Sequence, residues 1–190
     1  MENKAVGFAL CGSFCTFSKV LPEMEKLAQE GYDIFPIMSH MAYTTDTRFG
    51  KAEDFIRKIE NICNKKIIST IFDAEPIGPK KLLDALVIAP CTGNTIAKLA
   101  NGICDTSVTM AAKAHLRNAR PLIIAVSTND GLGINMKNIG TLSAIKNIYF
   151  VPYGQDDCLG KPNSLVADMT KIKEALSQAF SNTQIEPRII

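Results

Sequence analysis

Four short polar turns hold the residue types from which this sequence could build a site. They are Gly12-Ser13, Ser39-His40, Pro90-Cys91-Thr92-Gly93 and Ser127-Thr128-Asn129. Short hydroxyls, free amides and helix N-termini hold an anion such as a phosphate through dipoles and hydrogen bonds, with no Lys or Arg in the turns themselves. The stretch 85–98 is the strongest of these signals, and its bland alternative is a strand-loop-helix joint that binds nothing. Few groups can move a proton: His40, Cys91 and Asp130 are the candidates, each with a structural reading beside it. Lys98 can attract a dicarboxylate, or face water from a helix surface. Other chemistries are excluded by spacing. There is no Gly-Lys-Ser/Thr phosphate loop and no G-x-G-x-x-G fingerprint. The six cysteines form no C-x-x-C pair, and the two histidines, His40 and His115, lie far apart, so no metal site is expected. The thiols read as free and mostly packed, with Cys11, Cys15 and Cys91 nearest the polar turns.

The elements that must position these turns follow from periodicity. Residues 85–89 form an apolar run of the kind buried in a parallel sheet, and Thr92, Asn94 and Thr95 can each cap the following helix, which carries Ile96, Leu99, Ala100 and Ile103. Residues 5–11 read as a central strand, followed by a helix over 18–30 with Pro22 near its first turn and Gly31 at its end. Residues 32–38 form a second strand, where Pro36 requires an edge or an irregularity. Residues 41–50 read as a loop, 51–64 as a helix, 67–71 as a β-rich run, 73–79 as a proline-bounded loop and 80–84 as a short helical turn. A helix over 105–118 is capped by Asp105 or Thr106. Residues 121–126 form another apolar strand, 136–145 a helix and 148–152 a final strand. Residues 153–163 read as an irregular loop and 164–180 as the closing helix, with Leu165, Met169, Ile172 and Leu176 on one stripe. Strands alternate with helices throughout, so the expected class is α/β: a Rossmann-like three-layer fold with a mostly parallel central sheet. The four polar turns then gather along one sheet edge.

Bulk properties agree with this reading. The chain has 190 residues, 46% hydrophobic and 21% charged, with a net charge of +2. This fits one domain over 1–181 and a tail over 182–190, whose apolar Ile189-Ile190 end reads as docking on a partner. The charge is too small to predict nucleic-acid or membrane binding. No apolar run spans a bilayer, and residues 1–4 lead straight into a strand without a signal peptide, so the expected location is cytoplasmic.

The Gly-Ser turn, Ser39 and the run Ala89-Pro90-x-Thr92-x-Asn94-Thr95-Ile96-Ala97-Lys98-Leu99-Ala100-x-Gly102-Ile103 resemble the flavoprotein family that includes phosphopantothenoylcysteine decarboxylase. The segments 148–157 and 161–169, with 110–115 and 127–130, are more narrowly similar to the B subunits of dipicolinate synthases. The resemblance implies bound FMN in a homo-oligomer, a trimer or a multiple of one. By position it assigns Gly12, Ser13 and Ser39 to the flavin phosphate, and Pro90, Cys91, Thr92 and Gly93 to the ribityl chain or ring. Phe14 and Thr95 complete the cofactor set. Asn129 and Asp130 are assigned to the substrate. The narrower resemblance implies a partner, the A subunit of dipicolinate synthase, that carries NAD(P), with NADP only on that partner. The pair would oxidise a dihydrodipicolinate-type dicarboxylate to dipicolinate in the mother cell of a sporulating bacterium. Two departures count against decarboxylation: the family's histidine falls on Pro76, and its Pro-x-Met-Asn clamp is missing, leaving Asn129 alone to stand for the asparagine. A non-catalytic scaffold or activator of the partner is the alternative reading.

Overall fold

The computed structural model describes residues 4–190, so the lead from residues 1–3 into the first strand lies outside the described residues. In chain order the elements are β1 (Ala5–Leu10), a 3-10 turn (Phe14–Thr16) running into α1 (Phe17–Gln29), β2 (Asp33–Met38), α2 (His40–Thr44) and α3 (Ala52–Cys63). Then come α4 (Ile71–Ala74) with a 3-10 turn (Glu75–Ile77), β3 (Ala85–Cys91), α5 (Gly93–Ala100), α6 (Ser107–Leu116), β4 (Leu122–Thr128) and α7 (Met136–Ser143). The chain closes with β5 (Ile148–Phe150), β6 (Tyr153–Asp157), β7 (Lys161–Ala167), a 3-10 turn (Met169–Lys171) and α8 (Ile172–Phe180).

Among the described residues seven strands form one sheet, in the order β2-β1-β3-β4-β7-β6, with β5 also pairing β4. The pairs among β1 to β5 are parallel, while β4–β7 and β6–β7 are antiparallel. Helices cover both faces: α1 packs against α3 and α8, and α6 against α4 and α5, with α5 against α7. The expected three-layer, mostly parallel α/β fold is therefore what the chain adopts. Every residue of β3 is buried, as its unbroken apolar run requires. Each such Leu, Ile or Val stabilises the fold by roughly 1.5–3 kcal/mol, so β1, β3 and β4 together dominate the core.

The prolines of β2 and β3 sit where a donor is dispensable. Pro36 lies on the edge strand, and its carbonyl accepts from Ile68 N on the side away from β1. Its missing N–H faces that same outer edge. Pro90 does not end β3: the strand runs through it to Cys91, and the ladder with β4 shifts register between Ile88 and Cys91. Pro22 falls inside α1, because the 3-10 turn starts the helix earlier than its sequence indicates, but the side chain is exposed and the lost bond faces water.

Several expected elements differ. The run 67–71 is not a strand: only Ile68 bridges to Ile37, and Thr70 caps α4, its hydroxyl accepting from Asp73 N at 3.1 Å. The loops expected over 41–50 and 73–79 contain α2, α4 and a 3-10 turn, whereas 80–84 is non-helical, with Lys81 at φ 50°. The largest correction is over 153–167. These residues form the β6–β7 hairpin, and the closing helix begins only at Ile172. The tail lies along its own domain, with Tyr153 N donating to Arg188 O and Ile190 N to Tyr153 O, while Ile189 and Ile190 stay exposed.

His115 is fully buried on α6. Its Nε2 lies 3.0 Å from Pro121 O and its Nδ1 has no partner. Burial pushes its pKa down to about 4; the backbone contact to Pro121 opposes this and nearby Arg120 adds to it. The unfolded chain, with an ordinary value near 6.5, binds this proton more readily. Stability from this group is therefore full above about pH 6.5 and is lost as pH falls toward 4. Urea unfolding at pH 7 and pH 4.5 should show wild type losing about 2 kcal/mol more than His115→Gln. Equal losses in the two proteins would remove His115 as the cause.

Candidate functional site

From β1 the chain passes to β2 on one side of the sheet, and from β3 to β4 on the other. The carboxyl ends of β1 and β3 therefore face connections that diverge, and such a switch point opens a crevice. A cleft of about 580 Å³ lies there, within the size range of small-ligand sites. It is built from the turns after β1, β3 and β4, closed on one side by residues Thr47 to Phe49 and on another by the β6–β7 hairpin.

The best-defined feature of its wall is a hydroxyl cluster. Ser13 Oγ lies 2.7 Å from Ser127 Oγ and 3.3 Å from Thr16 Oγ1, and Thr16 Oγ1 lies 2.9 Å from Ser127 Oγ. The turn after β1 carries Ser13 and Thr16, and the end of β4 carries Ser127, so the cluster ties two strands that are not neighbours. Beside it, Thr92 caps α5, its hydroxyl accepting from Thr95 N at 3.4 Å. Thr95 in turn donates to Cys11 Sγ at 3.2 Å. Cys11 and Cys91 are both fully buried. Burial pushes the Cys91 thiol well above its usual range, and its hydrogen bond to Cys11 adds to the rise; that same bond draws Cys11 down. Cys91 thus stays a protonated donor packed beneath the turn.

Asp130 is equally occupied. One carboxylate oxygen accepts from Thr128 Oγ1 and the other from Asn135 Nδ2 at 2.8 Å, while Asn138 Nδ2 donates to Asn135 Oδ1 at 2.8 Å. This network presses against the first residue of α5. A Cβ on Gly93 would sit 2.5 Å from Thr128 Oγ1 and 2.6 Å from both Asn135 Nδ2 and Asp130 Oδ1. Glycine here lets the amino end of α5 meet the carboxyl end of β4.

Of the residues expected from sequence, Gly12, Ser13, Phe14, Thr92, Gly93, Asn129 and Asp130 line the cleft. Ser39, Pro90, Cys91 and Thr95 do not. Ser39 caps α2, accepting from Ala42 N at 3.3 Å, and the other three lie in or under the β3–α5 turn. His40 is exposed on α2 and outside the cleft, and Lys98 is held by Asp105 at 2.8 Å. The expectation of a pocket whose turns carry no Lys or Arg holds for those four turns but not for the cleft as a whole. Arg48 lines it from the turn before α3 and Lys161 from β7, the latter paired with Asp156 at 2.7 Å. Ser164 and Val166 of β7 were also missed. The available signals were Gly50 closing the first turn and the Asp157–Gly160 turn of the hairpin, where Asp157 Oδ1 accepts from Leu159 N and Gly160 N.

A flavoprotein family model matches residues 1–180. Across 190 residues the chain is 44% identical to the B subunit of dipicolinate synthase from Bacillus subtilis (strain 168), spanning 100% of this chain and 95% of that one. The crystal structure of the B subunit of dipicolinate synthase from Bacillus halodurans C matches with a TM-score of 0.90 at 48% identity, over 98% of this chain and 96% of that chain. A structure described as the FMN-dependent cysteine decarboxylase SpaF matches with a TM-score of 0.68 at 25% identity, over 93% and 97% of the two chains.

The tight fit at Gly93 gives a direct test of this geometry. Gly93→Ala should destabilise the fold by about 1–3 kcal/mol, since a Cβ must displace three polar atoms of a closed network. Chemical unfolding of the two proteins checks it, and unchanged stability would show that α5 and β4 are not in such close contact.

Proposed function

This chain belongs to the flavoprotein family, and we propose that its cleft seats FMN and that it is the flavin-carrying component of a two-component dipicolinate synthase. The observation that carries the reading is the Ser13–Ser127 hydroxyl pair, backed by buried Thr16, beside the capped amino end of α5 on the wall of a cleft of ligand size. Three hydroxyls in mutual contact can turn a proton outward to a phosphate oxygen, and the turn amides around Gly12 add donors without requiring a cation. These residues fit a phosphorylated ligand. Gly12, Ser13 and Phe14 would meet the phosphate end, and Thr92 and Gly93 the ribityl chain or ring. Ser39, Pro90, Cys91 and Thr95 would shape those turns from behind. Asn129 and Asp130 would face the substrate. The decarboxylase neighbour described as FMN-dependent supports the same cofactor.

Bound flavin supplies a two-electron acceptor, which aromatising a dihydropyridine dicarboxylate requires. The sequence lacks a nicotinamide fingerprint, so we place NADP on a partner, the A subunit of the synthase. The relatives named as B subunits of dipicolinate synthase support a partner subunit and chemistry on a pyridine dicarboxylate; a place in the cytoplasm of a sporulating mother cell is part of the same proposal. A homo-oligomer, a trimer or a multiple of one, belongs to the same proposal.

One set of observations favours a second reading, a non-catalytic chain that scaffolds or activates its partner. The Cys91 thiol is buried, His40 lies off the cleft, and both oxygens of Asp130 already accept hydrogen bonds. Decarboxylation is further disfavoured because Pro76, in the 3-10 turn after α4, has no proton to exchange.

Two measurements separate these readings. The purified chain should bind FMN at micromolar concentration or tighter, seen in its visible spectrum, and Ser13→Ala should weaken binding roughly 10- to 150-fold, the loss of one hydrogen bond to a charged group. No binding by wild type rejects the flavin reading; unchanged affinity in the variant rejects Ser13 as a phosphate ligand. Assayed without this chain, the NADP-carrying partner should give little dipicolinate. Full output from the partner on its own would make this chain an accessory.

A further inference from the structure

The segment between α2 and α3 is too polar for the core, yet it is tightly built. Thr47 N donates to Gly50 O at 3.0 Å and Gly50 N returns a bond to Thr47 O at 3.1 Å, closing a four-residue turn. Phe49 N donates to Thr47 Oγ1 at 3.2 Å, and Asp46 Oδ1 accepts from Ala52 N at 2.8 Å, fastening the turn to the start of α3. Gly50 has φ +147°, and a Cβ there would come within 2.9 Å of the Phe55 ring. Only glycine closes this turn without pushing Phe55 out of place.

The turn displays Arg48 and Phe49 at the mouth of the cleft, both exposed, with the guanidinium 4.9 Å from the Phe49 ring centroid. Exposed side chains on a constrained turn normally find a charge partner or face bulk water. Arg48 has no ion pair among the described residues. The other charged groups lining the cleft are all engaged: Lys161 with Asp156, and Asp130 with Thr128 and Asn135. Among the described residues Arg48 is therefore the one uncommitted charge facing this space, and it comes with a flat aromatic ring beside it.

We infer that Arg48 and Phe49 form the recognition element for a planar ring carboxylate, the guanidinium taking a carboxylate and the phenyl ring meeting the face of the heterocycle. The inference deepens the dicarboxylate reading above and rests on it. A guanidinium matches a carboxylate with two parallel N–H donors. An aromatic face adds an offset stack. The hydroxyl cluster of Ser13, Thr16 and Ser127 sits at the ends of β1 and β4, while Arg48 and Phe49 come from the turn before α3, so the phosphate end of a cofactor and the carboxylate of a substrate have separate partners. Arg48 is a binding residue here, holding its ligand through charge and paired N–H donors.

The test uses dipicolinate itself, titrated calorimetrically into the full chain before and after saturation with FMN, with FMN affinity measured on the same samples. Arg48→Gln should weaken dipicolinate roughly 10- to 150-fold and leave FMN affinity unchanged. Arg48→Lys should restore part of the loss, and Phe49→Ala should weaken dipicolinate about 2- to 12-fold. The uncharged diamide of the same ring should not bind. Because both side chains are exposed, unchanged melting temperatures confirm that the variants fold. Wild type that fails to bind dipicolinate, or Arg48→Gln that binds it normally, overturns the inference while FMN binding in those samples leaves the flavin reading intact. Weaker FMN with unchanged dipicolinate in Arg48→Gln also overturns it, assigning the arginine to the phosphate. Wild type that binds dipicolinate in an Arg48-dependent way but never FMN keeps the inference and sinks the flavin reading.

Discussion

β4 needs a partner on both sides, and the way it finds them shapes everything at the cleft. Along one side it pairs with β3. Along the other, β5 is only three residues long and covers Leu122 to Ile124. Val151 N still reaches Ile124 O, but then Pro152 turns the chain away. The last residues of β4 would carry open backbone groups next to a buried sheet, a state that costs about as much as lost hydrogen bonds. β7 fills the gap, pairing antiparallel with Ser127 and Thr128. A sheet that is otherwise parallel thus acquires a two-stranded antiparallel flap at the carboxyl ends of its strands.

That substitution brings three sequence-distant segments into one site. With the end of β4 fixed by β7, Ser127 Oγ is held against Ser13 and Thr16, and Thr128 is held against Asp130. Ser164 Oγ on β7 donates to Thr128 O at 3.2 Å, locking the flap to the same strand end. Asp130 then orders Asn135, and the pair leaves room only for glycine at the start of α5. The polar network is satisfied atom by atom, so it fixes geometry without leaving a costly unpaired group. The same satisfaction explains why Asp130 and Cys91, attractive as proton carriers in sequence, are poor ones in place: one is fully hydrogen-bonded, the other buried as a thiol.

How much of this was legible in the sequence follows from where each signal resides. β1, β3 and β4 are apolar runs that can only be buried, so their turns, and with them Gly12, Ser13, Thr92, Gly93 and Asp130, were found directly. The β6–β7 hairpin was not. Leu165, Met169, Ile172 and Leu176 fall on a helical period by accident of the strand-to-helix join at Asp168, and the outer half of the hairpin, Asp156 to Asn163, is exposed and polar. Nothing local to those residues reports that β5 is too short to pair all of β4; that is a tertiary demand. Ser39 and Thr95 illustrate the converse. Their residue types suit a ligand, but a helix amino end claims the first, and the Thr92 and Cys11 side chains claim the second. A hydroxyl next to a turn is spoken for by the nearest unpaired amide before any ligand arrives.

The division of charge follows from the same architecture. The inner wall is made of strand ends, where a lysine or arginine would have to be buried against the sheet and paired at a net desolvation cost. Hydroxyls are small enough to share protons there without that cost, so the strand-end wall carries no cation and works by hydrogen bonds, its one carboxylate, Asp130, held by Thr128 and Asn135. Cations are confined to the rim, on the turn before α3 and on the flap, where water solvates them until a ligand arrives. The proposed phosphorylated ligand and the proposed ring carboxylate would then meet different chemistry, dipoles and hydroxyls at the strand ends and a guanidinium at the turn before α3. A cation moved to the strand ends would lose hydration, and a hydroxyl moved to the rim would have only water to meet, so the two kinds of group stay where the fold puts them.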